Sequence, residues 1–393
     1  MDAIYLDHAA TTPLHPQVLD AMLPFLRGAH GNPSSVHAAG RAARTAVDAA
    51  RDELAAALRC AAREIVFTGS GTEADNLAIR GALERHGAER GRHVVVSAIE
   101  HDAVLQTALR LQAIGQAEVT VVGCDSECRV DPDAVAAAVR PDTVLVSVML
   151  VNNEIGAVQD VAAIAEAVRR RNSRALVHTD AAQALGRLSL QPAALGADML
   201  TIAAHKVYAP KGVGALWVRD GVHVAAQLTG GGQERGRRSG TENVAGIAGL
   251  GTAARLAVER LPAEAPRQAT LCRRLVDAVR ARVTDVVVTG DEAGRAPGFA
   301  TFAFPGARTD VLLVALDTRG VQASGGSACS SGAATPSHVL LAMGVEPSLA
   351  ATALRCTTGL TTTETDIDTA ARLIGEAVRQ VRAGMAEPRP SAP

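Results

Sequence analysis

The sequence predicts an α/β fold: a large, mainly parallel sheet covered by helices, followed by a smaller α+β domain. Three observations carry this. The chain has 393 residues, 48% of them hydrophobic, enough for a large buried core and too many for one ordinary domain. Alanine-rich segments of helical period, studded with Arg and Glu, alternate with short apolar or β-branched runs. That alternation changes character at a Pro/Ala/Glu stretch, Leu261 to Pro266.

Taken in order, the helical segments are 36–60, 74–90, 102–115, 132–140, 160–172 and 243–260. Between them lie seven strand-like runs, at 65–68, 93–97, 118–122, 143–148, 175–180, 199–202 and 214–218. Strand, helix, strand, helix reads as a mainly parallel sheet, because parallel strands are joined by crossover helices that pack on its faces. Ligands in such sheets sit beyond the strand C-termini. After the break, a helix at 267–282 leads into strands at 285–289, 299–304 and 321–323 and helices at 309–317, 336–343 and 364–383. The expected division is a large domain over 15–260, a small domain from 1–14 and 261–385, and a Pro-rich, disordered tail at 386–393.

Composition narrows the partners. With 39 basic and 41 acidic residues the net charge is −2, so no global field draws the chain to nucleic acid or a membrane surface. No run reaches the ~18 apolar residues of a span, and the N-terminus lacks a basic region followed by an apolar one, so a cytoplasmic protein is expected. The six cysteines (Cys60, Cys124, Cys128, Cys272, Cys329, Cys356) form no CxxC pair, and no disulfide framework or metal site is indicated.

The chain contains only two lysines, Lys206 and Lys211, in the stretch Ala203 to Leu216. Elsewhere arginine supplies the positive charge, but arginine stays protonated, whereas a desolvated lysine can become a neutral nucleophile and form an imine. Chance survival on a solvated loop is the plain alternative. Other strand ends carry polar residues of catalytic type. Gly69 to Glu73 opens a helix whose free N–H groups suit a phosphate, or is simply a capped helix start. His101 follows strand 93–97, where it can stack on a ring, shuttle a proton or cap a helix. Asn152 and Asn153 suit a planar polar ligand or an ordinary turn. Asp180 ends a buried strand and is followed by Gln183; its carboxylate caps a helix or meets a protonated pyridine nitrogen. Lys206, Asp180, the Gly71 and Thr72 cup and His101 together supply the four things pyridoxal phosphate needs: an imine lysine, a ring-nitrogen partner, a phosphate site and a stacking group.

These residues also stand in motifs that resemble, nearly end to end, the NifS/IscS-type cysteine desulfurases of the class V aminotransferase group of fold-type I pyridoxal phosphate enzymes. The motifs are Tyr5 to Pro13, Gly31 to His37, Gly71 to Asn76, Glu100 and His101, Val151 to Gly156, Asp180 to Gln183, His205 and Lys206, Arg238 to Thr241, and Gly326 to Cys329. The resemblance implies a fold-type I transferase that binds pyridoxal 5'-phosphate and converts L-cysteine to L-alanine. It implies Lys206 as imine lysine and base, Asp180 at the pyridine nitrogen, Gln183 at the ring oxygen and His101 over the ring. Gly71, Thr72 and His205 are implied at the phosphate, together with Thr241 from the neighbouring subunit of a homodimer. Asn153 is implied against cofactor and substrate, and Asn32 and Arg355 at the substrate carboxylate. Cys329, on a Gly/Ser-rich loop at about 320–335 that resembles the long mobile loop of the group, is implied to take the sulfur as a persulfide. Its acceptors are implied to be proteins such as an iron–sulfur scaffold or a tRNA-thiolation enzyme. Ala203, Gly325 and Leu360 depart from the family's usual residues, and His8 replaces a common asparagine. A class V aminotransferase, a selenocysteine lyase and a carrier that passes on sulfur from another source remain the competing readings.

Overall fold

The computed structural model describes residues 3–326 and 336–386. Its first half runs β1 (Ile4–Tyr5), α1 (Pro16–Arg27), α2 (Ala38–Leu58), β2 (Ile65–Thr68), α3 (Gly71–Arg90), β3 (His93–Ser97), α4 (Asp102–Ala113), β4 (Glu118–Val122), α5 (Pro132–Ala138), β5 (Thr143–Ser147), α6 (Val161–Arg171), β6 (Leu176–Asp180), β7 (Met199–Ala203) and β8 (Gly214–Val218). Then come α7 (Val244–Arg280), β9 (Val287–Val288), β10 (Phe299–Ala303), α8 (Thr309–Asp317), β11 (Val321–Gln322), α9 (His338–Ala342), α10 (Pro347–Ala350), β12 (Ala353–Thr357) and α11 (Glu364–Ala386).

Seven strands form one sheet in the order β2, β8, β7, β6, β5, β3, β4. All run parallel except β8, which pairs antiparallel with both β2 and β7. The C-terminal ends of β2, β3, β5, β6 and β7 therefore open on one side, and the loops that follow them converge there. Strands β2, β3, β5, β6, β7 and β8 are buried along their whole length, which is why they read as continuous apolar runs. One core packs the sheet against α1, α2 and the first part of α7, and another fills the space between the sheet, α3 and α4.

A third core gathers the far end of α7 (Leu271, Leu275, Val279) with β10, α8, β12 and α11, and Leu6 of the N-terminal segment packs into it. There β10 pairs antiparallel with β9 and β12, and β1 pairs with β11. The helix break expected at Leu261 to Pro266 is not observed, since α7 runs unbroken through Pro262 and Pro266. Both prolines are exposed, so the carbonyls left without an N–H partner face water, and packing at the two ends of α7 holds the helix across them. Among the described residues no helix is long and apolar enough to cross a membrane.

Candidate active site

The alternation of side chains along β6 puts His178 and Asp180 on one face. His178 is fully buried, its Nδ1 2.8 Å from Ser147 Oγ and its Nε2 3.1 Å from Thr201 Oγ1. Burial drives its pKa down to about 3, so the imidazole is neutral at ordinary pH. Asp75, from the first turns of α3, lies with Oδ1 3.6 Å from His178 Nε2. Burial, and then the charge of Asp180, pushes the Asp75 carboxyl well up. Asp180 pairs across from Thr201, and its Oδ1 accepts from the Ala182 N–H at 2.9 Å. Burial raises its carboxyl too, but His101, the Ala182 N–H and Lys206 each favour its charged form. Asp180 has two basic side chains, His101 and Lys206, favouring its charged form, whereas Asp75 faces the charges of Asp180 and Glu100.

Lys206 ends the 3₁₀ turn Ala204–Lys206 that follows β7. Its Nζ donates to the carbonyls of Ala9 at 2.5 Å and Ala10 at 2.8 Å, and the Ala9 carbonyl also accepts from Gln183 Nε2 at 2.9 Å. The N-terminal segment clasps the lysine turn at further points. Thr12 Oγ1 donates to the His205 carbonyl at 3.0 Å and accepts from the Tyr208 N–H at 2.7 Å, where Tyr208 takes the left-handed φ of +65°. His205 places Nδ1 3.1 Å from Thr11 Oγ1. Burial, with Lys206, Lys211 and His101 nearby, lowers its pKa to about 4, so it too is neutral at ordinary pH.

At the start of α3, Ser70 caps the helix by accepting from the Glu73 N–H at 3.1 Å. Gly71 fits tightly against β7, where an added Cβ would stand 3.0 Å from Ala203 Cβ, while Thr72 is exposed. Glu73 is engaged by Arg238 at 2.7 and 3.2 Å. His101 caps α4, its Nδ1 accepting from the Ala103 N–H at 3.1 Å. Arg355 of β12 is buried, with Nη2 2.8 Å from Asp7 Oδ1, Nη1 2.9 Å from the Asn153 carbonyl, and a buried Nε without a hydrogen-bond partner among the described residues.

Of the residues expected from sequence, Asp180, Lys206 and His101 thus interact directly, and Gln183 joins them through the shared Ala9 carbonyl. Asn153 and Arg355 form a second, bonded pair. Asn32 stands on an exposed turn, its Oδ1 accepting from the Ser34 N–H. Thr241 is exposed and lines a crevice with Thr68, Gly69, Gly212 and Asn243 beside the turn into α3. Cys329 lies outside the described residues. The structure also draws in Asp7, Asp75, Glu100 and Glu154, which stand in the quoted motifs without an assigned role, and Tyr208. Four are acids, three of them almost fully buried.

The class-V aminotransferase family matches residues 4–369. The chain belongs to that family. Among curated relatives, the cysteine desulfurase IscS of Dictyoglomus turgidum is 41% identical, covering 96% of this chain and 95% of its own. Among solved structures, a NifS-like protein superposes with a TM-score of 0.90 at 33% identity, covering 96% of this chain and 100% of its own. SspA in complex with cysteine superposes with a TM-score of 0.78 at 34% identity, over 90% of this chain and 98% of its own. Class-V aminotransferases of the cysteine desulfurase kind depend on pyridoxal phosphate, and the residues present here fit that group. A buried carboxyl with His101 and Lys206 beside it, an amine that follows the neighbouring strand and a capped helix N-terminus converge at one side of the sheet.

Proposed function

We propose that this chain is a pyridoxal phosphate-dependent cysteine desulfurase that converts L-cysteine to L-alanine and captures the sulfur on Cys329. One observation carries the reading: Asp180, at the end of β6, interacts with Lys206 in the turn that follows the adjacent parallel strand β7, in a chain with only two lysines. With pyridoxal phosphate bound, Asp180 would hold the ring nitrogen, Gln183 and His101 would bound the ring, and Gly71, Thr72 and His205 would hold the phosphate, His205 being neutral and able to accept or donate one hydrogen bond. When bound, the cofactor supplies a carbonyl for the substrate amine and an electron sink for the substrate carbon.

Lys206 Nζ takes and returns the substrate α-proton. Arg355 and Asn153, with Asn32, orient the substrate carboxylate; the Arg355 Nε, without a partner among the described residues, marks donor capacity not used by Asp7 and Asn153. The Cys329 thiolate attacks the substrate sulfur. L-cysteine and the Cys329 thiol give L-alanine and the Cys329 persulfide, so the atoms balance without an outside oxidant. The persulfide passes to an acceptor protein such as an iron–sulfur scaffold or a tRNA-thiolation enzyme. The active form is a cytoplasmic homodimer in which Thr241 reaches the neighbouring site.

The test is to incubate the purified protein with pyridoxal phosphate, L-cysteine and a thiol reductant, and to measure alanine and sulfide. Equal amounts of both are expected, and Cys329→Ser is expected to keep the cofactor absorbance while losing protein persulfide. A cofactor-loaded protein that yields no alanine, or a Cys329→Ser variant with full turnover, contradicts the reading.

A further inference from the structure

Among the described residues three arginines are buried, Arg51, Arg187 and Arg355. Two of them face a carboxylate, Arg51 that of Glu234 at 2.6 Å and Arg355 that of Asp7 at 2.8 Å. Arg187, in the turn between Leu185 and Leu188, has no carboxylate partner among the described residues. Its Nη1 donates to the Pro297 carbonyl at 2.6 Å and to Gln268 Oε1 at 3.3 Å, and its guanidinium lies 4.8 Å over the Phe299 ring. Gly298 makes room for it, since a Cβ there would collide with Nη1. Nε and Nη2 donate to nothing among the described residues. Burial draws the pKa of Arg187 down, yet a guanidinium stays protonated in proteins, and a buried cation without a counter-charge is costly.

The same arginine lines a crevice of about 520 Å³, counted out to its mouth, between the start of α1, the middle of α7 and the lysine turn. Val18, Leu185 and Leu256 give it apolar walls. Arg260 adds a second guanidinium, with Nη1 2.7 Å from His15 Nε2 and no carboxylate partner among the described residues. Glu264, the acid in the lining, is taken by Arg267 at 2.8, 3.0 and 3.1 Å, so the crevice carries an excess of positive charge. Lys206 forms part of the wall, but Asp180, His101, Gly71, Thr72, Asn153 and Arg355 do not, so this space meets the candidate active site only at the lysine turn.

We infer that the crevice is a binding site for a small carboxylate, held side-on by Nε and Nη2 of Arg187 with its apolar end against Val18, Leu185 and Leu256. With Nη1 occupied, that edge is the part of the guanidinium left to a ligand. Elsewhere in the chain the same edge takes a carboxylate: Arg140 grips Asp142, Arg238 grips Glu73 and Arg308 grips Asp310, each through Nε and Nη2. A planar carboxylate matches this fork with two charge-assisted hydrogen bonds, which a spherical anion such as chloride cannot do.

The test titrates the full-length, cofactor-loaded protein with acetate at constant ionic strength, reading the broadening of the acetate methyl line by proton NMR and the protein's Tm. Saturable broadening is expected, with a dissociation constant on the order of 1 mM for a ligand of so few atoms. The Tm is expected to rise with sodium acetate and not with equal sodium chloride. Arg187→Met replaces the guanidinium with an apolar side chain and is expected to weaken binding by about tenfold or more. Ala257→Phe fills the crevice from a half-buried position on α7 and is expected to do the same, which keeps the test open if Arg187→Met does not fold. Arg355→Gln is expected to retain the broadening, because the anion does not occupy the place proposed for the substrate carboxylate. No broadening in the parent, equal stabilisation by chloride, unchanged binding in Arg187→Met or Ala257→Phe, or binding lost in Arg355→Gln alone overturns the inference. None of these readings needs turnover, so they stand apart from the success or failure of the desulfurase reading.

Discussion

The Ala9 carbonyl accepts from both Lys206 and Gln183, and this one oxygen explains why the N-terminal segment belongs to the site. Its hydrogen bonds fix the amine where a cofactor can meet it, while the Thr12 bridge holds the turn that carries the lysine. Glu100 shows a different device. It is fully buried, Oε1 accepts from Ser97 Oγ and from the Met149 N–H at 2.9 Å, and Oε2 has no hydrogen-bond partner among the described residues. Burial pushes its pKa up to about 8 against these hydrogen bonds. An acid whose folded pKa lies above its unfolded value of about 4.3 binds its proton more tightly when folded, so it costs stability as pH rises between those values. Glu100→Gln is accordingly expected to gain thermal stability relative to the parent from pH 5 to pH 8, the difference in Tm widening with pH. A constant difference across that range contradicts a protonated Glu100.

At the scale of elements, the sheet is joined to its helices by a few buried polar ties. Arg51 of α2 donates from Nη1 to the Ile65 carbonyl at 2.9 Å and to Glu234 Oε2 at 2.8 Å, and from Nη2 to Glu234 Oε1 at 2.6 Å. Its guanidinium lies 4.7 Å over the Phe67 ring, and Glu234 also accepts from the Phe67 N–H at 2.9 Å. Glu234 itself sits at a φ of +50°, a conformation that the tie to α2 and β2 helps hold. Arg51→Leu leaves that carboxylate buried without its partner and is expected to cost about 3–5 kcal/mol. Urea denaturation checks this, through a lower midpoint at unchanged slope. The strands were legible because buried parallel strands are apolar along their length. Helix α7 was misjudged at Pro262 and Pro266, because local propensity describes an isolated helix and not one held at both ends by packing.

At the scale of the whole molecule, α7 spans the core under the large sheet and the core that includes β10 and α11, so the two cores share a continuous element. The homodimer in the proposed function predicts a sedimenting mass near twice 40.4 kDa in the cofactor-loaded protein. A monomer retaining full turnover contradicts the proposed contribution of Thr241. The alternation of strands and helices, the seven strands of the sheet and the identity of Lys206 and Asp180 as candidate groups were all determined by the sequence alone. Periodicity and residue chemistry are local properties, and they survive in a linear reading. The strand order, the antiparallel β8, the Ala9 carbonyl shared by Lys206 and Gln183, and the Glu154 contact with Gly326 and Ser337 were decided only by the tertiary structure. Each joins residues distant in the chain through packing, and no local pattern encodes which distant partner a buried polar atom will find.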